Sequence, residues 1–172
     1  MRACLLLVAL AGLVAAAVWV TPLRAARGRP DRAPSASPAR SSGATALAIL
    51  HVWDADRARA YAVGRPQQLR ELYVPGSSAG RADVELLRRY HRRGLRVTGM
   101  RTQVLSLAVL EHRADLWRLR VTDRLVGAVA VGSDGRVPLP RDMPSGHEIT
   151  LMRADQREWR VAGVREVSRA RP

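Results

Sequence analysis

The chain has 172 residues, of which 29 are basic and 15 acidic, giving a net charge of +14, and all the basic residues are Arg. With 47% hydrophobic residues and one cysteine, Cys4, it is long enough for one cored domain; this excludes a multidomain enzyme, an internal disulfide, a thiolate zinc site and an iron–sulfur cluster. Lys, Asn and Phe are absent while Ala, Arg, Gly and Pro abound, the codon bias of a GC-rich genome, so the charge by itself is poor evidence for an anionic partner.

The first predicted element is apolar. After Arg2 the chain carries no charge from Ala3 to Leu23, and it is most strongly apolar from Ala3 to Val20. A helix needs about 20 apolar residues to cross the hydrocarbon core of a bilayer, so residues 1–20 read as a signal-anchor or signal peptide helix. Ala15 and Ala17 have the small-residue spacing of a cleavage site, but the run continues through Val18, Trp19 and Val20, which favours an uncleaved anchor over a secreted form. Arg24, Arg27, Arg29, Arg32 and Arg40 follow the run and argue for holding that side in the cytoplasm. The two-residue N-terminal tail argues for export instead. The expected location is the cell membrane, single-pass, with the C-terminal domain outside the cytoplasm.

Residues 21–43 are rich in Pro, Ser, Ala and Arg and hold almost nothing to bury, so they are expected to form a disordered linker. Three helices follow. Ala46, Ile49, Leu50, Trp53, Ala60 and Tyr61 recur at three- and four-residue steps in a helix ending near Gly64. Pro66 opens a short second helix that Pro75 and Gly76 stop. After the segment Gly76 to Gly80, a third helix runs to about Gly94, with Val84, Leu87, Tyr90 and His91 on one face. Arg88, Arg89, Arg92 and Arg93 form a basic patch around its last turn, where positive charge suits the helix dipole.

Beyond Gly94 the period becomes that of strands. Trp117, Leu119, Val121, Asp123 and Leu125 alternate with Arg118, Arg120, Thr122 and Arg124, the pattern of a sheet with one buried and one wet face. Other strand regions are Arg96 to His112, Glu148 to Arg153 and Glu158 to Val167, the last two joined by a tight turn at Ala154 to Arg157. The layout is α+β: three N-terminal helices on an antiparallel sheet in a domain of residues 44–167, followed by a tail at 168–172.

The segment WDADRARAYAVGRPQQLRELYVPGS, residues 53–77, resembles the opening of the nuclear transport factor 2-like superfamily, which includes SnoaL-like cyclases and ketosteroid isomerases. The Trp of the first helix, the Gly before the second, and the Leu-x-x-Leu-Tyr run carry the likeness. It implies a cone-like fold in which a curved antiparallel sheet wraps the helices around a pocket. The preceding apolar helix and linker look like those of the membrane-anchored members found in high-GC Gram-positive envelopes. Arg65 stands where many relatives have Asp, so no functional acid is carried over there.

Asp123 shares a face with Trp117, Leu119 and Val121, where an isolated carboxylate is costly. One reading is a pocket general base or acid with a raised pKa, as the resemblance implies for a strand carboxylate; the other is a carboxylate at the strand end, paired with one of the many Arg side chains or turned to solvent. His91 or Tyr61 is the expected proton donor or oxyanion partner for such a base. His51, His112 and His147 lack helical metal-ligand spacing with one another or with His91, so no metal and no cofactor is expected. The Gly76-x-Ser78-x-Gly80 pattern matches a nucleophile elbow, but it follows a helix rather than a strand, and a capping loop is the favoured reading.

Two functions compete. The favoured one is a non-catalytic binding or assembly module outside the membrane, tethered through residues 3–20, whose partner is an envelope protein or a small apolar ligand; nucleic acid is not an expected partner. The alternative is a small cofactor-free pocket enzyme of isomerase or cyclase type with Asp123 as general base.

Overall fold

The computed structural model describes residues 38–154 and 158–167, excepting the side chains of 38–40. The apolar run Ala3–Val20, the linker up to residue 37, residues 155–157 of the last turn and the tail lie outside the described residues.

Helix α1 spans Pro38–Val63. It stops where Gly64 takes a φ of +70° and Arg65 N–H bonds back to the Ala60 carbonyl at 3.0 Å, a left-handed exit that suits glycine. Helix α2, Pro66–Glu71, starts on its proline, whose missing N–H is no loss in a first turn. Helix α3, Ser78–Arg92, is capped by Ser77, whose side chain accepts from Gly80 N–H at 3.2 Å. The Gly-x-Ser-x-Gly pattern is thus a helix start. Gly80 has a packing reason as well: a Cβ there would lie 2.6 Å from Cγ of Tyr73, so the Tyr ring rests directly on the helix backbone.

The strands are β1 (Arg96–Thr98), β2 (Arg101–Arg113), β3 (Leu116–Val126), β4 (Val129–Gly132), β5 (Gly135–Pro138), β6 (Ser145–Arg153) and β7 (Trp159–Glu166). All their pairings are antiparallel, and they form two sheets, ordered β1-β4-β5 and β2-β3-β6-β7. The expectation of one curved, cone-like sheet is therefore corrected. The predicted strand from Arg96 is divided at Gly99, and β3 ends opposite it at Gly127; both glycines have positive φ, and a Cβ on Gly99 would meet the Gly127 carbonyl at 2.7 Å. No side chain fits that approach, so the ladder breaks there. Two shifts of register in β2 bracket Leu105 and Leu110, and these bulged residues are exposed.

The helices lie on the sheets, with α1 against β1, β2 and β7 and α3 against β7 and β1. After α2 the chain bonds to β7, where Val74 N–H donates to the Val161 carbonyl and Val161 N–H to that of Leu72, both at 3.0 Å. The core between the layers includes Leu50, Tyr61, Leu69, Leu87, Trp117, Leu119, Val121, Leu151 and Val161, all buried. Burial of such side chains contributes about 1.5–3 kcal/mol each.

Among the described residues no helix is long and apolar enough to cross a membrane. The single-pass membrane location, the membrane as a partner and the envelope-anchored subtype therefore find no support among the described residues. The segment on which those expectations rested is outside the described residues.

Candidate functional site

A cavity of about 550 Å³ opens between α1, α3 and the four-stranded sheet, within the size range of small-molecule sites. Val104, Val121, Leu125 and Ile149 line it from the strands and Leu50 and Leu86 from the helices. Polar groups enter this apolar surround in two clusters.

The first cluster centres on Asp83, which is buried on α3. Arg57, one of the polar residues of α1, donates Nε–H to Oδ2 and Nη2–H to Oδ1, each at 2.7 Å. The hydroxyls of Tyr61 and Tyr73 donate to Oδ1 and Oδ2, also at 2.7 Å each. Four donors on two oxygens nearly saturate the carboxylate. Burial alone would raise the Asp83 pKa, but the Arg57 hydrogen bonds and charge, helped by both hydroxyls, hold it below the ordinary carboxylate range. Burial likewise opposes the Arg57 charge, and Asp83 outweighs it, so the guanidinium is held charged. Both phenols are pushed up, by burial first and then by the Asp83 charge.

The second cluster contains Asp123. It lines the cavity with its side chain 17% exposed, and its Oδ1 is 3.6 Å from Nε2 of His147 on β6. No arginine among the described residues forms an ion pair with it. Burial raises its pKa; His147 opposes that rise, while Asp54 adds to it. The Ser145 hydroxyl lies 2.9 Å from the same Nε2, and Nδ1 of His147 is buried with no hydrogen-bond partner. In a nucleophilic triad the serine and the carboxylate occupy opposite ring nitrogens. Here they share one, so the arrangement does not assemble a serine nucleophile. Asp54, also at the cavity, is occupied by Thr102, accepting from its N–H at 2.9 Å and its hydroxyl at 2.6 Å.

The predicted partners of Asp123 lie elsewhere. Tyr61 is buried with its hydroxyl committed to Asp83. His91 is exposed on the last turn of α3, beside Gly64, and does not line the cavity. His51 lines the cavity from α1, and His112 stacks on Trp117 with ring centroids 3.6 Å apart. Of the basic patch, Arg89 reaches the cavity; Arg92 pairs with Glu85 at 3.0 Å, and Arg88 and Arg93 are exposed. No group of His, Cys, Asp and Glu suited to a metal ion occurs among the described residues.

Sequence reasoning missed Asp83, Arg57 and His147 as site residues. Asp83 stands four before Leu87, so it falls on the apolar stripe of α3 where a carboxylate needs a partner. Arg57 stands four before Tyr61, which brings its stem under the same stripe of α1.

No family model matches the chain, and no curated protein matches it. Among solved structures it is similar to a protein from Catenulispora acidiphila, with 16% identity over 73% of this chain and 94% of the other, at a TM-score of 0.48. It is also similar to a Streptomyces protein, Aln2, with 11% identity over 71% and 89%, at 0.49. A third is a protein of the NTF2-like family from Streptomyces avermitilis, with 12% identity over 71% and 95%, at 0.44. Likeness of this degree assigns no chemistry to the site.

The class defined by the fold and cavity is that of a small α+β protein with a largely apolar pocket into which two polar clusters project. The expected non-catalytic, membrane-tethered binding module is corrected by that pocket. Buried Asp83, held by Arg57, Tyr61 and Tyr73 at its wall, is an arrangement found where enzymes position groups, and it weighs toward catalysis.

Proposed function

We propose that the protein is a small cofactor-free pocket enzyme of isomerase or cyclase type, with Asp123 as its general base. The observation that carries this reading is the position of Asp123, partly buried in an apolar cavity, free of any arginine ion pair among the described residues and 3.6 Å from His147. A carboxylate destabilised by burial is a stronger base than one in water. It takes a proton from carbon next to a substrate carbonyl; the C–H electron pair moves into the carbonyl and gives an enolate. With a β,γ-unsaturated ketone the anion is a dienolate, and return of the proton from Asp123 to its γ carbon completes an isomerisation; with a second carbonyl in the substrate, attack of the enolate carbon closes a ring and the alkoxide formed takes the proton back from Asp123. In this reading His147, 3.6 Å from Asp123, takes part in moving the proton. The apolar walls suit a compact, largely hydrocarbon ketone.

The test is proton exchange. The full chain is incubated in D₂O with a panel of cyclic enolisable ketones, and loss of the α-proton signal is followed by NMR. Exchange above the buffer rate that falls by roughly 10²-fold or more in Asp123→Asn supports the reading. Exchange at the buffer rate across the panel, or unchanged in Asp123→Asn, overturns it.

A further inference from the structure

Proton abstraction next to a carbonyl creates negative charge on oxygen, and a site that stabilises it needs preorganised hydrogen-bond donors in the same cavity, a charged donor being among the strongest. Asp123, His147 and Ser145 provide none that is permanently charged. The Asp83 cluster contains one that the proposed chemistry leaves unused. Arg57 lines the same cavity and spends Nε and Nη2 on Asp83, while the contact of its Nη1 is the Met100 thioether at 3.9 Å. A thioether is a weak acceptor, and Nη1 carries two N–H groups. The guanidinium is further fixed over the rings of Tyr61 and Trp53, at 5.2 and 5.9 Å from their centroids.

We infer that Arg57 is the oxyanion partner of the site, its Nη1 hydrogen-bonding an enolate or phenolate oxygen, and that Asp83, Tyr61 and Tyr73 are positioning residues that hold the guanidinium rigid. The inference deepens the Asp123 reading and rests on it for the reaction, though not for anion binding itself. The clamp answers a physical difficulty: an unpaired buried Arg would be expensive, and a mobile one would have to reorganise at the moment of reaction. Asp83 removes the first cost, and the two phenols prevent the second by fixing Asp83. Arg57 and Asp123 line the same cavity, so donor and base face one ligand. The ligand class implied is a planar, mostly apolar ring system bearing one oxygen that becomes anionic.

The probe is 4-nitrophenol, whose phenolate form absorbs visible light. Asp123→Asn protein mimics the neutral base left after proton abstraction, and its bound probe is expected to ionise at lower pH than free probe by a shift equivalent to about tenfold or more in phenolate preference. Adding Arg57→Met with Asp83→Asn removes both charges together, so no buried charge is stranded; with circular dichroism and melting confirming the fold, the shift is expected to vanish. Arg57→Lys in the Asp123→Asn background retains the charge without the fork, and a partial shift is expected. The inference is overturned if Asp123→Asn protein binds no phenolate, if the shift survives in the folded charge-free variant, or, should that variant not fold, if Arg57→Lys leaves the shift unchanged. A phenolate shift without ketone exchange in the wild type sinks the Asp123 reading alone, and ketone exchange without a phenolate shift sinks the Arg57 inference alone.

Discussion

Asp123 and His147 meet as diagonal neighbours across the β3–β6 ladder: Asp123 is registered opposite Ser145 and Val121 opposite His147, and the carboxylate reaches Nε2 at 3.6 Å. Register of this kind holds a carboxylate, an imidazole and a hydroxyl at one spot on the cavity wall. Because burial dominates the Asp123 environment, its ionised form is disfavoured in the folded protein.

The first prediction is the pH profile of the exchange reaction. A base must be ionised to act, so the rate should rise with pH through a midpoint above the ordinary Asp value of about 3.9. The same shift makes ionisation of Asp123 oppose folding. Its folded pKa is raised, so the favourable contribution is complete below the unfolded value and is lost as pH rises through the folded one. Asp123→Asn should therefore melt higher than the wild type at neutral pH, with the difference closing below about pH 4, near the unfolded Asp value. Calorimetry across pH checks this, and a variant that melts lower throughout would count against it.

The second prediction concerns the Arg57–Asp83 pair, whose sign is opposite. The Asp83 pKa is depressed in the fold, so its stabilisation is present above the unfolded value and is lost as pH falls through the folded one. Asp83→Ala strands the Arg57 charge and should cost about 3–5 kcal/mol at neutral pH. Combined with Arg57→Met, the loss should be smaller than the sum of the two single losses by about 1–3 kcal/mol. Urea unfolding of the four proteins measures the coupling, and simple additivity would refute it.

The third prediction is steric. Gly80→Ala places a Cβ 2.6 Å from Tyr73 Cγ, and the ring must move off Asp83. A loss of about 1–3 kcal/mol is expected from overpacking. Gly163→Ala is the control, since nothing lies within 4 Å of a Cβ there, and it should change stability by less than about 0.5 kcal/mol.

A fourth follows from the break between the sheets. Alanine at Gly99 meets the Gly127 carbonyl in a backbone conformation with φ of +68°, so strain and clash add. Its cost should exceed the roughly 1 kcal/mol typical of point substitutions. A melting temperature equal to the wild type would show that the close approach is relaxed in solution.

Sequence by itself determined the three helices and the longer strands, because their causes are local, but not the short β4 and β5, four residues each. Helix periodicity, Pro66 at a helix start, glycines at helix ends and the alternation from Trp117 to Leu125 each reflect the geometry of a few neighbouring residues, and the alternation also turned Asp123 inward beside Val121. Only the tertiary structure decided what met what. Arg57 and Asp83 are 26 residues apart in the chain and fall on different helices, so their pairing depends on how α1 and α3 dock. His147 became the neighbour of Asp123 through the β3–β6 register, while His91, which shares a helix face with core residues, was carried to the solvent end of α3. The division into two sheets depended on two glycines, Gly99 and Gly127, approaching each other. Periodicity shows which face a residue takes; the residue it faces is set by long-range packing, which no local pattern encodes.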